Sequence, residues 1–185
     1  SQACALLQAA SRQRALFFLH GNRDFLIGPG FARHTGATLL HDPTVLVWQG
    51  QRLLLSHGDA LCLDDVDYQR FRVQARSVQW QEHFLAQPLA QRRAQARGIR
   101  AESEARKQSG AVYADVDGPA AIAWLQAARA TTLVHGHTHR PAEHPLAPDV
   151  RRVVLSDWDA AAQPPRADVL RLTPQGLERI AIVPT

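Results

Sequence analysis

The chemistry in this chain concentrates in Leu133-Val134-His135-Gly136-His137-Thr138-His139-Arg140-Pro141, where three histidines follow a short apolar run. The run Thr131 to Val134 is rich in β-branched residues, the pattern of a buried strand. The histidines then fall on the loop leaving its carboxyl end, where ligand sites gather in open α/β sheets. Gly136 permits a sharp turn there and Pro141 discourages any regular element beyond it. In an extended stretch, residues two apart face the same way. His137 and His139 can therefore turn both rings to one side and each offer a nitrogen to a metal. Taken alone, the stretch reads more readily as an exposed polar turn.

Two other apolar runs end alike. Ala15 to Leu19 leads into His20-Gly21-Asn22-Arg23-Asp24, and Arg52 to Leu55 into Ser56-His57-Gly58-Asp59. Packing does not ask for polar residues at strand ends, but a site assembled from several strand termini does. Asn22, His57, His137 and His139 form a mixed nitrogen and oxygen set suited to manganese, iron or zinc rather than calcium. Two such ions about 3.5–4 Å apart polarise a phosphoryl oxygen and activate water for in-line attack. A dimetal site normally needs a bridging carboxylate as well. Asp24 and Asp59 are candidates by composition, or they hold a histidine or a loop in place.

These residues must be carried by a chain of 185 residues, one domain's worth, with 45% apolar and 21% charged residues. No apolar run approaches the ~18 residues of a membrane span. The opening Ser1-Gln2-Ala3-Cys4-Ala5 lacks the pattern of a secretory signal. Cys4 and Cys62 make no disulfide framework and suit a reducing compartment. The net charge is +4, and Lys107 is the single lysine, so arginine carries nearly all the positive charge. Its planar, permanent donors suit phosphate, and basicity of this size permits a phosphate-bearing or membrane-surface partner. The chain has no methionine and opens inside a helical pattern, so it is expected to be a fragment.

Along the chain, residues 2–10 read as the end of a helix with Leu6 and Leu7 inward. Ala15 to Leu19 reads as a strand covered on both faces. A short helix to about His34 should end near Gly36, with a strand at Thr38 to Leu40. Val45 to Trp48 and Arg52 to Leu55 flank Gln49-Gly50-Gln51, a hairpin signal. From Asp65 to Ala128 the pattern is mostly helical, with Phe71, Val78, Trp80, Phe84 and Leu85 as apolar positions. These either line an acyl-chain pocket or pack a helical hairpin. Arg92, Arg93, Arg97, Arg100, Arg106 and Lys107 form a basic run: a solvated face, a cap over an anionic substrate, or a contact with anionic lipid. Strands should follow at Val150 to Leu155, Asp168 to Leu172 and Leu177 to Val183. No pattern of interleaved aromatic and basic residues suits base stacking, so no nucleic-acid partner is expected, nor an obligate protein partner.

Gly21-Asn22-Arg23-Asp24, Ser56-His57-Gly58-Asp59 and Gly136-His137-Thr138-His139 resemble the later blocks of the calcineurin-like metallophosphoesterases. With Phe25-Leu26, Cys62, Asp64-Asp65, Tyr68 to Arg72 and Arg140-Pro141 around them, they resemble the UDP-2,3-diacylglucosamine pyrophosphohydrolases of lipid A synthesis over nearly the whole chain. The resemblance implies an α/β protein: a four-layered α/β/β/α sandwich with a helical cap inserted at about residues 65–117. It implies that Asn22, His57 and His137 bind one manganese ion and His139 a second, Mn2+ being needed twice per intact enzyme. It also implies that Asn22, Arg23, Asp65, Ser103, Lys107 and His137 contact substrate. The implied reaction is attack of water on the α-phosphorus of UDP-2,3-diacylglucosamine, giving lipid X (2,3-diacylglucosamine 1-phosphate) and UMP. The implied location is peripheral, on the cytoplasmic face of the inner membrane.

Arg23 has a physical rationale within that branch. The wider superfamily commonly places histidine after Gly-Asn, where it can protonate a leaving alkoxide. Arginine stays charged and cannot act as an acid at neutral pH. A phosphoanhydride leaves as a phosphate and needs no such acid, while Arg23 can offset charge on the pyrophosphate. Arg100, Ser103 and Lys107 share one helix face and can meet a phosphate together.

The departures are specific. That family opens with an Asp-x-His motif and a Gly-Asp motif, which supply further ligands including the bridging aspartate. Neither occurs here, so the first strands are expected to be missing, with weak metal binding and little turnover from residues 1–185 alone. The family often carries a second lysine beyond Lys107, where this chain has Ser109-Gly110. The alternatives are a metallophosphoesterase of another phosphate ester, or a non-catalytic lipid-binding homologue.

Overall fold

The computed structural model describes residues 1–108 and 114–182, with the side chains of 102–108 outside that description. The chain divides into two compact units, Ser1–Leu61 with Val116–Thr185, and Cys62–Asp115.

The first unit is an α/β assembly. Helix α1 (Gln2–Ser11) is N-capped by the Ser1 side chain. Leu6 is 65% exposed and Leu7 is also exposed, so the expected inward face of this helix is not buried. Strand β1 (Phe17–Leu19) is shorter than the apolar run that contains it, and Phe17 is 63% exposed, so it is not covered on both faces. β1 pairs in parallel with β2 (Thr38–Leu40), Leu19 opposite Leu40. Between them runs α2 (Pro29–Thr35), begun by Pro29 and stopped at Gly36, whose φ of 74° is left-handed.

A second sheet has the order β3-β4-β5-β7-β6. Strands β3 (Thr44–Trp48) and β4 (Gln51–Ser56) form the expected hairpin, closed by Gln49 and Gly50, both at positive φ. β4 runs parallel to β5 (Thr132–His135), and β5 parallel to β7 (Val150–Val154). Leu53, Leu54, Leu133, Val153 and Val154 are buried, as expected where parallel strands are covered on both faces. Helix α6 (Gly118–Ala128), capped by Asp117, precedes β5 and buries Ala121 and Leu125. The edge strand β6 (Glu143–Ala147) was not legible in the sequence: Pro145 interrupts it, tolerable only at an edge, and the register slips beside it. Strands β8 (Asp168–Thr173) and β9 (Gly176–Ala181) form a separate hairpin. Val183, expected within the last strand, lies outside the described residues. Arg179 donates to Asp168 Oδ1 at 2.9 Å and to the Val154 carbonyl at 2.6 Å, tying this hairpin to the end of β7.

The second unit is helical: α3 (Val66–Ala75), α4 (Val78–Ala86) and α5 (Leu89–Gln108). Asp65 and Ser77 cap α3 and α4, each accepting from a backbone N–H three residues on. Trp80 stacks on Phe84 at a centroid distance of 4.9 Å and meets Phe71 edge-on at 6.4 Å. These three rings pack the helices together, whereas Val78 and Leu85 face outward. No helix among the described residues is long and apolar enough to cross a membrane.

Candidate functional site

Parallel register brings the site together. Ser56 of β4 stands opposite His135 of β5, so the loops starting at His57 and Gly136 leave the same edge of the sheet. The Gly136 N–H donates to the His57 carbonyl at 3.1 Å and joins them. In the β1-β2 sheet, Leu19 opposite Leu40 likewise sends out together the loops bearing Asn22 and Asp42. The two sheets meet at His57. Its backbone N–H donates to Asp42 Oδ2 at 3.2 Å, and its Nε2 accepts from the Asn22 backbone N–H at 3.2 Å. That bond makes Nε2 the unprotonated nitrogen, and an ion there would compete with Asn22 N–H for its lone pair.

The His137 ring stands edge-on to His57 with centroids 5.0 Å apart. Two imidazoles sharing one ion, each nitrogen about 2.1 Å from it, bring their rings to a similar separation. The His57 and His137 rings therefore converge, and the Asn22 backbone N–H meets the first of them. The loop carrying His137 is not the extended stretch that the alternating histidines suggested. His137 and His139 both adopt left-handed backbone, φ 64° and 52°, and the Thr138 N–H donates to the Gly136 carbonyl at 2.7 Å. A non-glycine residue in that region costs on the order of 1 kcal/mol, and such strain clusters at functional sites. Thr138 Oγ1 is buried with no hydrogen-bond partner among the described residues.

His139 is turned elsewhere. Its Nδ1 lies 3.7 Å from Asp157 Oδ2, and that carboxylate accepts a 2.8 Å hydrogen bond from Arg166. The Arg166 hydrogen bond lowers the Asp157 pKa, against partial desolvation, with the charges of Arg166 and His139 adding to the lowering.

Of the three His-Gly strand endings, only His57 offers its ring to this junction. His20 Nε2 donates to the Ile27 carbonyl at 2.6 Å and closes its own loop. His135 is fully buried, with Nδ1 2.8 Å from the Gly136 carbonyl and Nε2 3.5 Å from Arg152. It packs against Gly58, where an added Cβ would lie 2.8 Å from its Nδ1. The carboxylates weighed as bridges have other settings. Asp24 accepts from the Gly21 N–H at 2.6 Å and shapes the Asn22 loop. Asp59 is fully buried at the start of the 3-10 turn Asp59–Leu61.

Arg23 is exposed on the turn after β1. Asp65 lies in the helical unit, where its Oδ1 accepts from Tyr68 N–H at 3.2 Å. Ser103 and Lys107 lie on α5, with their side chains outside the description. Ser109 and Gly110 lie outside the described residues. Asp42 is the residue that sequence reasoning missed, and nothing in His41-Asp42-Pro43 distinguishes it from a turn.

Behind the junction, within the first unit, lies an apolar cavity of about 640 Å³. Leu19 and Leu40, Leu55 and Val134, and Leu172 and Leu177 line it, one pair from each of the three sheets, and it reaches Ser56, His57 and Gly136.

Among the described residues no three His, Cys, Asp or Glu side chains lie close enough to hold a metal. The donors shown together are the two imidazoles, with the Asn22 backbone beside them. They fit one part of the shell of a borderline ion such as manganese and require other ligands to complete it.

A mixed sheet whose parallel strands β4 and β5 end in His-Gly and Gly-His-Thr-His loops, beside a parallel pair whose first strand ends in a Gly-Asn loop, defines the class: this is a calcineurin-like metallophosphoesterase fold. No family model matches the chain. Among curated proteins it is 49% identical over 156 residues to the UDP-2,3-diacylglucosamine hydrolase of Chromobacterium violaceum, covering 83% of this chain and 65% of that protein. It is 47% identical over 148 residues to that of Cellvibrio japonicus, covering 78% and 62%. It is 43% identical over 182 residues to that of Bordetella pertussis, covering 96% and 70%. The chain belongs to the UDP-2,3-diacylglucosamine hydrolase family and spans about two thirds of the length of these relatives.

Proposed function

We propose that the chain forms the greater part of a hydrolase that cleaves the pyrophosphate bond of UDP-2,3-diacylglucosamine in lipid A synthesis. Water attacks the α-phosphorus, giving 2,3-diacylglucosamine 1-phosphate and UMP. The observation that carries this reading is the pairing of the His57 and His137 rings at the ends of β4 and β5, with the Asn22 backbone N–H against the His57 ring. It occurs in a chain 43–49% identical to hydrolases named for that substrate.

In this reading Asn22, His57 and His137 hold one Mn2+ and His139 contributes to a second. Bound there, the ions supply Lewis acidity at a phosphoryl oxygen and lower the pKa of water. Arg23 stays protonated and offsets charge on the pyrophosphate, and the phosphate leaving group needs no acid from it. Asp157 faces Nδ1 of His139, as carboxylates behind metal-bound histidines do, leaving Nε2 for the ion. Asp65, Ser103 and Lys107 contact substrate from the helical unit. There, exposed Val73, Val78, Leu85 and Leu89 accompany Arg93, Arg97 and Arg100, a mixture suited to peripheral attachment to anionic lipid on the cytoplasmic face of the inner membrane.

The test is UMP release from UDP-2,3-diacylglucosamine with Mn2+ by this chain alone, and by the chain joined to the Asp-x-His and Gly-Asp segment of a relative. The joined protein should turn over, the chain alone should be near background, and His137→Ala in the joined protein should be inactive. Hydrolysis of a generic phosphodiester without action on the lipid would keep the metal reading and overturn the substrate. Salt-sensitive cosedimentation with anionic vesicles tests the membrane assignment.

A further inference from the structure

We propose that Asp42 is a positioning residue whose carboxylate sets the His57 loop, and so the His57 ring, against Asn22 and His137. The inference rests on the reading of His57 as a metal ligand. In the structure His57 is joined to three other loops. Asp42 Oδ2 takes its backbone N–H at 3.2 Å, the Gly136 N–H meets its carbonyl at 3.1 Å, and the Asn22 N–H meets its ring at 3.2 Å. Asn22 and Asp42 leave the β1-β2 sheet, while His57 and Gly136 leave the five-stranded sheet.

Among the described residues no strand pairing connects those two sheets. Register therefore sets the spacing of His57 to His137 but not that of His57 to Asn22. Hydrogen bonds between loops contribute to setting it, and a backbone N–H to a carboxylate is charge-assisted and among the stronger kinds. Asp42 grips the main chain of His57 and leaves the ring to its own partners. A residue in this role controls where a donor nitrogen sits without touching the ion.

Two readouts test the proposal. One is the affinity for Co2+ of the chain joined to the Asp-x-His and Gly-Asp segment of a relative, followed by its visible absorption. The other is hydrogen exchange of the His57 amide in this chain without metal. Asp42→Ala should weaken Co2+ binding about 10–100-fold, the usual cost of removing a residue that supports a ligand. It should also accelerate exchange of the His57 amide. Asp42→Asn keeps an oxygen acceptor of the same reach and should recover most of both. Should Asp42→Ala not fold, Asp42→Ser, too short to reach the amide, carries the same expectation.

Parental exchange of the His57 amide in Asp42→Ala overturns the proposal. So does an Asp42→Asn variant with parental exchange but Co2+ binding as weak as Asp42→Ala, because the carboxylate then acts as a charge or a ligand. A joined protein that binds Co2+ no better than its own His137→Ala variant overturns the metal reading itself, and the exchange measurement on this chain still decides whether Asp42 sets the loop.

Discussion

His57 and His137 stand edge to face with ring centroids 5.0 Å apart, although 80 positions separate them in sequence. Parallel pairing of β4 with β5 causes this, because it starts both loops at the same edge. If the pair holds an ion, His137→Ala should weaken Co2+ binding by more than the roughly 10–100-fold that a supporting residue costs. Fold stability should change by about 1 kcal/mol or less, since the side chain is only half-buried. Titration calorimetry and thermal unfolding on the same samples check both.

Gly58 has no room for a side chain. Its φ is 100°, and a Cβ would lie 2.8 Å from His135 Nδ1. Gly58→Ala combines left-handed strain with overpacking and should cost about 2–4 kcal/mol. The denaturant midpoint should fall without a change in slope. His135→Ala in the same chain should relieve the overpacking part and leave the backbone part, so the pair should be non-additive in a double-mutant cycle.

Arg179 ties the β8-β9 hairpin to the rest of its unit through Asp168 and the Val154 carbonyl. Arg179→Met should cost about 1–3 kcal/mol by removing hydrogen bonds from a charged donor. Hydrogen exchange should quicken first in β8 and β9, with β4 and β5 less affected, because a two-stranded hairpin is marginal without outside support.

The Asp157–Arg166 pair predicts a pH dependence of known sign. The Arg166 hydrogen bond lowers the Asp157 pKa below its unfolded value. The pair's stabilisation is therefore fully present above the unfolded value, about 3.9, and disappears as pH falls through the lower folded value. The stability difference between the parent and Arg166→Met should be constant near neutrality and shrink only in acid below about pH 4. A difference that instead grew on acidification would contradict the assignment.

Much of this protein is local enough to be seen in the chain. Alternating and continuous apolar runs marked β2, the β3-β4 hairpin and β5, and Gly36 marked the end of α2 at a φ that favours glycine. The loop motifs carried the family resemblance, because Gly-Asn, His-Gly and Gly-His-Thr-His are contiguous. Less was legible where a residue's role depends on what lies across from it. Leu6 and Leu7 look like a buried face and are exposed, and β6 is hidden by Pro145.

What the sequence determined by itself was the set of donors and their places at strand ends, because polar residues directly after apolar runs need no tertiary information to be recognised. What only the tertiary structure decided was how each donor is used. His20, His57 and His135 stand in the same local pattern. Packing turned His20 onto the Ile27 carbonyl, buried His135 between Gly58 and Arg152, and left the His57 ring facing His137. Asp42 has no motif at all, and its bond to His57 becomes visible only when the loops leaving the two sheets are brought together. Side-chain identity is written in one dimension, whereas the direction a ring faces is set by neighbours brought close only when the strands pair.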